Sequence, residues 1–322
     1  MCGIGGFCLN PKDKNKIDPD HLAAILLMNL EERGRHSTGQ AWRNSKGVIK
    51  TKKAPLPANV WVKRGEHRNG ATTRILHTRY ATQGSPENPA NNHPICTGRI
   101  TGTHNGTLSN DDELFDLLNC KRIGQVDSEA IFALLEYGNM PVTDALELPA
   151  GRAAVAWLDA DDRDNTIHLA RMSGSPLAVG QTPNGSFVYA STMSILLASC
   201  EQAGVDLAWT QSVTEGNYFR ITDGRLVTCE VFKPAAPALR PRSYTTRSVV
   251  TTTTGKKRKG KAKRSAGRKV VAGYYLNDAG EWVDEALEVS RPVRPADYEW
   301  DDVEAMAEAD AAAEEAIVFG SD

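Results

Sequence analysis

From about residue 150 onward the chain is a succession of short β-branched or aromatic segments: GRAAVAWLD, NTIHLARM, SPLAVGQ, GSFVYAST and NYFRITDGRLVTCEVF. Each is bounded by Gly, Pro, Asn or Asp, the chemistry of strands closed by turns. Asp223-Gly224 between apolar residues is a hairpin signal. Earlier, TRILHTRY reads the same way. Three helical segments stand among them. Asp18 can cap Pro19-Asp20 and the following HLAAILLMNLEE, with Gly34 beyond the end; SNDDELFDLLN carries acids in its first turn; Asp127 opens SEAIFALLEY before Gly138. Helices mixed with strands in hairpin order predict an α+β fold with largely antiparallel sheets, not a doubly wound parallel one. At 322 residues, 40% hydrophobic and 24% charged, the chain can bury a real core.

The composition changes near Lys233. Prolines and arginines follow, then four threonines at 251–254, then KKRKGKAKRSAGRK at 256–269, where nine of fourteen residues are Lys or Arg. The last stretch, 297–322, holds ten acids and no base. Three parts are therefore expected: a globular domain at 2–235, a basic Thr/Lys/Arg-rich linker at 236–273, and an acidic tail at 274–322. The tail would contain a short hairpin around Asp278-Ala279-Gly280 and an alanine-rich helix. Residues 256–269 have the charge for weak nucleic-acid contact through phosphates, but no interleaved aromatics for base stacking. A solvated linker pairing with the acidic tail is the plainer expectation. Six cysteines without a C-x-x-C pair argue against a zinc ribbon, and no metal site or cofactor is expected. No apolar run spans a membrane and no signal peptide is visible, so a cytoplasmic protein without membrane contact is expected.

The first residues, MCGIGGF, raise a chemical question. Once Met1 is removed, Cys2 carries a thiol and an α-amine that both titrate near neutral pH, a nucleophile beside its own base. Alone, Cys2 is a small residue starting a buried strand. Four further segments, RGRHSTG (33–39), HTRYATQG (77–84), THNGTL (103–108) and GQVDSEA (124–130), supply the remaining needs of glutamine hydrolysis. Arg79 can fork onto the α-carboxylate. Asp127 can hold the α-ammonium, and Cys2 can attack the side-chain amide. The Asn105 amide and the Gly106 N–H can stabilise the oxyanion. The Cys2 α-amine, through a water if needed, can carry the proton.

These segments resemble the class II, N-terminal-nucleophile glutamine amidotransferases, in particular the glutaminase domain of glucosamine-6-phosphate synthase. The likeness runs over about 2–232. It includes CGIGG, LEERGRHSTG, HTRYATQG, NHP at 92–94, HNG at 104–106, VDSE at 126–129, SGSPLAVG, FVYAST and EGNYFRI. It implies the four-layer αββα sandwich of N-terminal nucleophile hydrolases, followed here by a low-complexity charged C-terminal tail. It also implies a γ-glutamyl thioester on Cys2, an oxyanion hole at Asn105 and Gly106, Arg79 and Asp127 on the two charged ends of glutamine, and a pocket lined by Thr82 and by the backbone at Tyr80 and Gln83. His36 stands where the family often has Asp, which leaves the bracing of the Arg-Gly loop in question. Tyr80 and Gln83 replace the Trp and His common in close relatives. No synthase domain, pyrophosphatase loop or P-loop follows. The expected role is a stand-alone glutaminase or a subunit feeding ammonia to a synthase on another chain. A hydrolase of a different amide, and a catalytically quiet domain reused for protein or nucleic-acid binding, are the competing readings.

Overall fold

A computed structural model describes residues 1–162 and 164–235, and the backbone of 270–271, 274–276 and 282–284. The basic run 256–269, the Asp278-Ala279-Gly280 turn and the acidic stretch 297–322 lie outside the described residues. The chain divides into two compact units, Met1–Arg242 and Ser243–Asp322.

In the first unit, β1 (Gly3–Cys8), β2 (Ser37–Arg43), β3 (Ile49–Ala54) and β4 (Thr73–Arg79) open one sheet. A second is opened by β5 (Ile95–Thr97), β6 (Ile100–Leu108), β7 (Gly151–Asp159) and β8 (Thr166–Arg171). β9 (Ala178–Gln181), β10 (Phe187–Ala190) and β11 (Trp209–Ser212) complete the first, and β12 (Asn217–Thr222) and β13 (Arg225–Val231) the second. The orders are β11-β9-β10-β1-β4-β2-β3 and β13-β12-β8-β7-β6-β5. The strand pairs within both sheets run antiparallel. The helices are α1 (Pro19–Leu30), α2 (Ala58–Lys63), α3 (Asp111–Leu118), α4 (Ser128–Tyr137), α5 (Val142–Glu147) and α6 (Met193–Gln202).

Three apolar cores separate four layers. Leu22, Leu26 and Leu27 of α1, with Leu196 of α6, pack on Phe7, Leu76 and Val188 of the first sheet. Ile131, Phe132 and Leu134 of α4 pack on Val155 and Trp157 of the second. Between the sheets, Ile4, Cys8 and Ile75 meet Ala154, Ala156, Leu158 and Leu169. In β7 the odd residues therefore face helices and the even ones face the opposite sheet. This is why GRAAVAWLD is apolar at both parities. The result is the α+β, four-layer αββα sandwich that the resemblance implied.

The capping chemistry works as the sequence suggests. The Asp18 carboxylate accepts from the Asp20 and His21 amides at the start of α1, and Asp127 accepts from Ser128 N–H at the start of α4. Asp223 (φ 48°) and Gly224 (φ 76°) make the tight β12–β13 turn, whose two central residues must be left-handed. In the second unit, β14 (Val270–Val271), β15 (Tyr274–Leu276) and β16 (Trp282–Asp284) form a small antiparallel sheet, with Leu276 opposite Trp282.

Candidate active site

β1 and β4 are central neighbours in the first sheet, and the register pairs Gly3 with Thr78. Cys2 therefore lies beside the end of β4. The Tyr80 N–H donates to Cys2 Sγ at 3.4 Å, and the thiol faces the Tyr80 carbonyl at 3.5 Å. Burial pushes the Cys2 thiol pKa up, against the Tyr80 N–H, the chain's amino terminus and Arg79, which favour the thiolate; Asp127 adds to the rise. The resting group is a neutral thiol, and its activation needs a base. Arg33 Nε donates to the Cys2 carbonyl at 3.1 Å. Met1 Sδ lies 3.8 Å from Arg33 Nη2 and 4.0 Å from Arg152 Nη2, so two guanidiniums flank the chain start.

Cys2, Arg79, Tyr80, Thr82, Gln83, Gly106 and Asp127 converge on one cavity of about 20 Å³. Asn105 lies beside it on β6, 1% exposed, with no hydrogen-bond partner for Nδ2 among the described residues. At Gly106, φ is +146° and a Cβ would overlap the Arg152 carbonyl oxygen, so only glycine lets the strand turn its backbone there. Gly34 is needed for approach: a Cβ would lie 2.5 Å from Tyr80 N.

Arg79 is 2% exposed and anchored at several points. Nη1 donates to Asn92 Oδ1 at 2.9 Å, and Nη2 to the carbonyls of Gln83 and of Gly84, the latter at 2.9 Å. The sequence suggested a fork open to a carboxylate; here part of the fork holds the 83–84 backbone. A space of this size holds about one water. Asp127 Oδ2 accepts from Leu108 N–H at 2.6 Å and Oδ1 from Ser128 N–H at 3.0 Å, which ties α4 to the end of β6.

His36 ties the Arg-Gly loop to the end of β4. Its Nδ1 accepts the Ala81 N–H at 2.8 Å, its own N–H donates to the Arg79 carbonyl at 2.9 Å, and its ring lies 5.0 Å from that of Tyr80. Burial, with Arg79 and the amino terminus adding, lowers its pKa and keeps Nδ1 an acceptor.

Sequence reasoning passed over His77, His93, Asn92 and Ser128. His104 Nε2–H donates to the Arg152 carbonyl at 3.3 Å, which leaves Nδ1 to accept the Ser128 hydroxyl at 2.8 Å. His77 Nε2–H donates to the His104 carbonyl at 3.2 Å, and its ring stacks on His93 at 4.1 Å. The signal was the histidine in each of HTR, NHP and HNG, but nothing in those tripeptides says that the three meet.

Residues 77–198 match the family described as glutamine amidotransferase domain. The curated glutamine–fructose-6-phosphate aminotransferase (isomerizing) of Pectobacterium atrosepticum is 29% identical over 209 residues, 61% of this chain and 33% of its own length. Its counterpart from Shouchella clausii is 32% identical over 214 residues, with the same coverage. The chain thus spans about a third of these relatives. A solved glutamine phosphoribosylpyrophosphate amidotransferase from B. subtilis superposes with a TM-score of 0.58 at 19% identity, over 72% of this chain and 49% of that one. The chain carries a class II, N-terminal-nucleophile glutamine amidotransferase domain. Within that class it resembles the glutaminase domain of glucosamine-6-phosphate synthase.

Proposed function

We propose that this chain hydrolyses glutamine to glutamate and ammonia through a γ-glutamyl thioester on Cys2, and that the ammonia passes to a synthase on a separate chain. The observation that carries this is the convergence of the half-buried Cys2 thiol, the Arg79 guanidinium and the Asp127 carboxylate on one cavity, with the Asn105 amide beside it.

After Met1 removal, the Cys2 α-amine takes the thiol proton as sulfur attacks the side-chain amide. The oxyanion is held by Asn105 Nδ2 and the Gly106 N–H. The amine then protonates the leaving nitrogen, and water cleaves the thioester. Arg79 and Asp127 hold the α-carboxylate and α-ammonium, while Thr82 and the Tyr80 and Gln83 backbone close the pocket. Transfer to a synthase is supported by the relatives' names, which describe moving glutamine nitrogen to fructose 6-phosphate. Free ammonium is also protonated near neutrality and is then a poor nucleophile.

The test is glutamate release by protein tagged only at its C-terminus, with Met1 loss checked by intact mass. Release that disappears in Cys2→Ala is expected. Release that survives this substitution, or its absence from processed protein even with native cell extract added, refutes the reading. Recovery from the native cell of only free, fully active protein would refute the synthase partner.

A further inference from the structure

One wall of the Cys2 cavity has no part in the chemistry above. His93 lines it, is 3% exposed, and has no hydrogen-bond partner at either ring nitrogen among the described residues. A neutral imidazole offers one donor and one acceptor, and leaving either buried and unmet is unfavourable. The ring is held by its stack on His77, and His77 is held by its bond to the carbonyl of His104, the residue before Asn105. Burial, with His77, His104, Arg79 and Lys53 adding, holds the His93 pKa well below the usual range. The ring is thus a fixed neutral donor and acceptor and does not serve as a base. The space it borders, about 20 Å³, accommodates one water and also touches Cys2 and Gly106.

We propose that His93 positions the water that hydrolyses the thioester, and so sets how the acyl group partitions between water and other nucleophiles. The inference rests on Cys2 forming a γ-glutamyl thioester. When ammonia leaves, water takes its place and hydrogen-bonds to the ring. The water oxygen bonds to the acyl carbon and its proton passes to the Cys2 α-amine. The C–S bond then breaks with its electron pair on sulfur, which takes the proton back from the amine. Glutamate and free thiol result, and His93 ends unchanged.

The full-length processed protein is assayed with saturating glutamine, with and without hydroxylamine, which intercepts the thioester as γ-glutamyl hydroxamate. Glutamate, hydroxamate and ammonia are measured for wild type, His93→Leu and His93→Asn. For His93→Leu, water hydrolysis is expected to fall roughly 10–100-fold, the scale of a misplaced reactant. The hydroxamate-to-glutamate ratio is expected to rise by a similar factor, with a γ-glutamyl adduct accumulating on Cys2 by intact mass. His93→Asn, which keeps a donor and an acceptor, is expected to recover part of the wild-type ratio. The ratio is set only by molecules that have been acylated, so partial misfolding drops out of it. An unchanged ratio overturns the proposal whether or not turnover falls, because it means His93 only packs. Wild type yielding neither hydroxamate nor Cys2-dependent ammonia overturns the thioester reading itself, and the role of His93 with it.

Discussion

Asn105→Ala separates catalysis from stability. The Asn105 amide nitrogen is buried and has no partner among the described residues, so the side chain makes no protein hydrogen bond from Nδ2 to lose; a donor left unmet costs about 1–3 kcal/mol. Truncation removes that penalty and loses the packing of the amide group, two effects of similar size and opposite sign. The net change in folding stability is expected to stay within about 1 kcal/mol, a Tm shift of about 2–4 °C for a unit of this size. The transition state loses an oxyanion donor, which costs about 10²–10³ in kcat, or about 3–4 kcal/mol. The assay pairs glutamate release at saturating glutamine with a thermal melt of the same preparation. A fall in kcat with Tm held is the expected outcome. Unchanged kcat would mean that Nδ2 does not point at developing charge. Activity and Tm collapsing together would mean that the side chain holds β6 in place and has no separate role in the reaction.

An N-terminal extension that blocks the Cys2 α-amine is expected to silence turnover while leaving the melt unchanged; full activity with it attached would refute the amine as base. Arg79→Lys keeps the charge but loses the fork, and the kinetics are expected to show a raised KM for glutamine larger than any fall in kcat. The Gly106→Ala melt is expected to drop by about 2 kcal/mol or more, because φ +146° and the overlap with the Arg152 carbonyl leave no room for a methyl group. Asp13 is pushed up by burial, but hydrogen bonds from Ser186, Thr182 and Asn184, with Lys16 adding, outweigh it and its pKa lies below the usual value. Its stabilisation is thus complete above about pH 5 and is lost as pH falls below about 4 through the folded pKa; acid melts of wild type and Asp13→Asn are expected to converge there, and parallel curves would refute it.

How much of this could be read in advance varied by element. α1 and α4 were legible because their caps and apolar faces are local, and β7 and β12–β13 because β-branched runs and Asp-Gly turns are local too. β3, IKTKKA, was not: it is an edge strand on which Lys50 and Lys52 are exposed while Lys53 turns in to the carbonyls of Asn92 and Pro94, and only its pairing with β2 makes it a strand. β6, ITGTHNGTL, was hidden because its Thr, His, Asn and Gly serve the site and not the apolar pattern. The short α2 and α5 are helical mainly through the packing of Trp61, Ala145 and Leu146.

Cys2, Arg79, Asn105, Gly106 and Asp127 were legible as candidates from the sequence alone, because each is marked by a short motif and a chemical need. That Arg79 already grips the carbonyls of Gln83 and Gly84, that His36 accepts the Ala81 N–H, and that three histidines from β4, the 92–94 segment and β6 come together were decided only by the tertiary structure. Those relations depend on strand order and register between residues far apart in the chain, and local composition carries no information about distance in space.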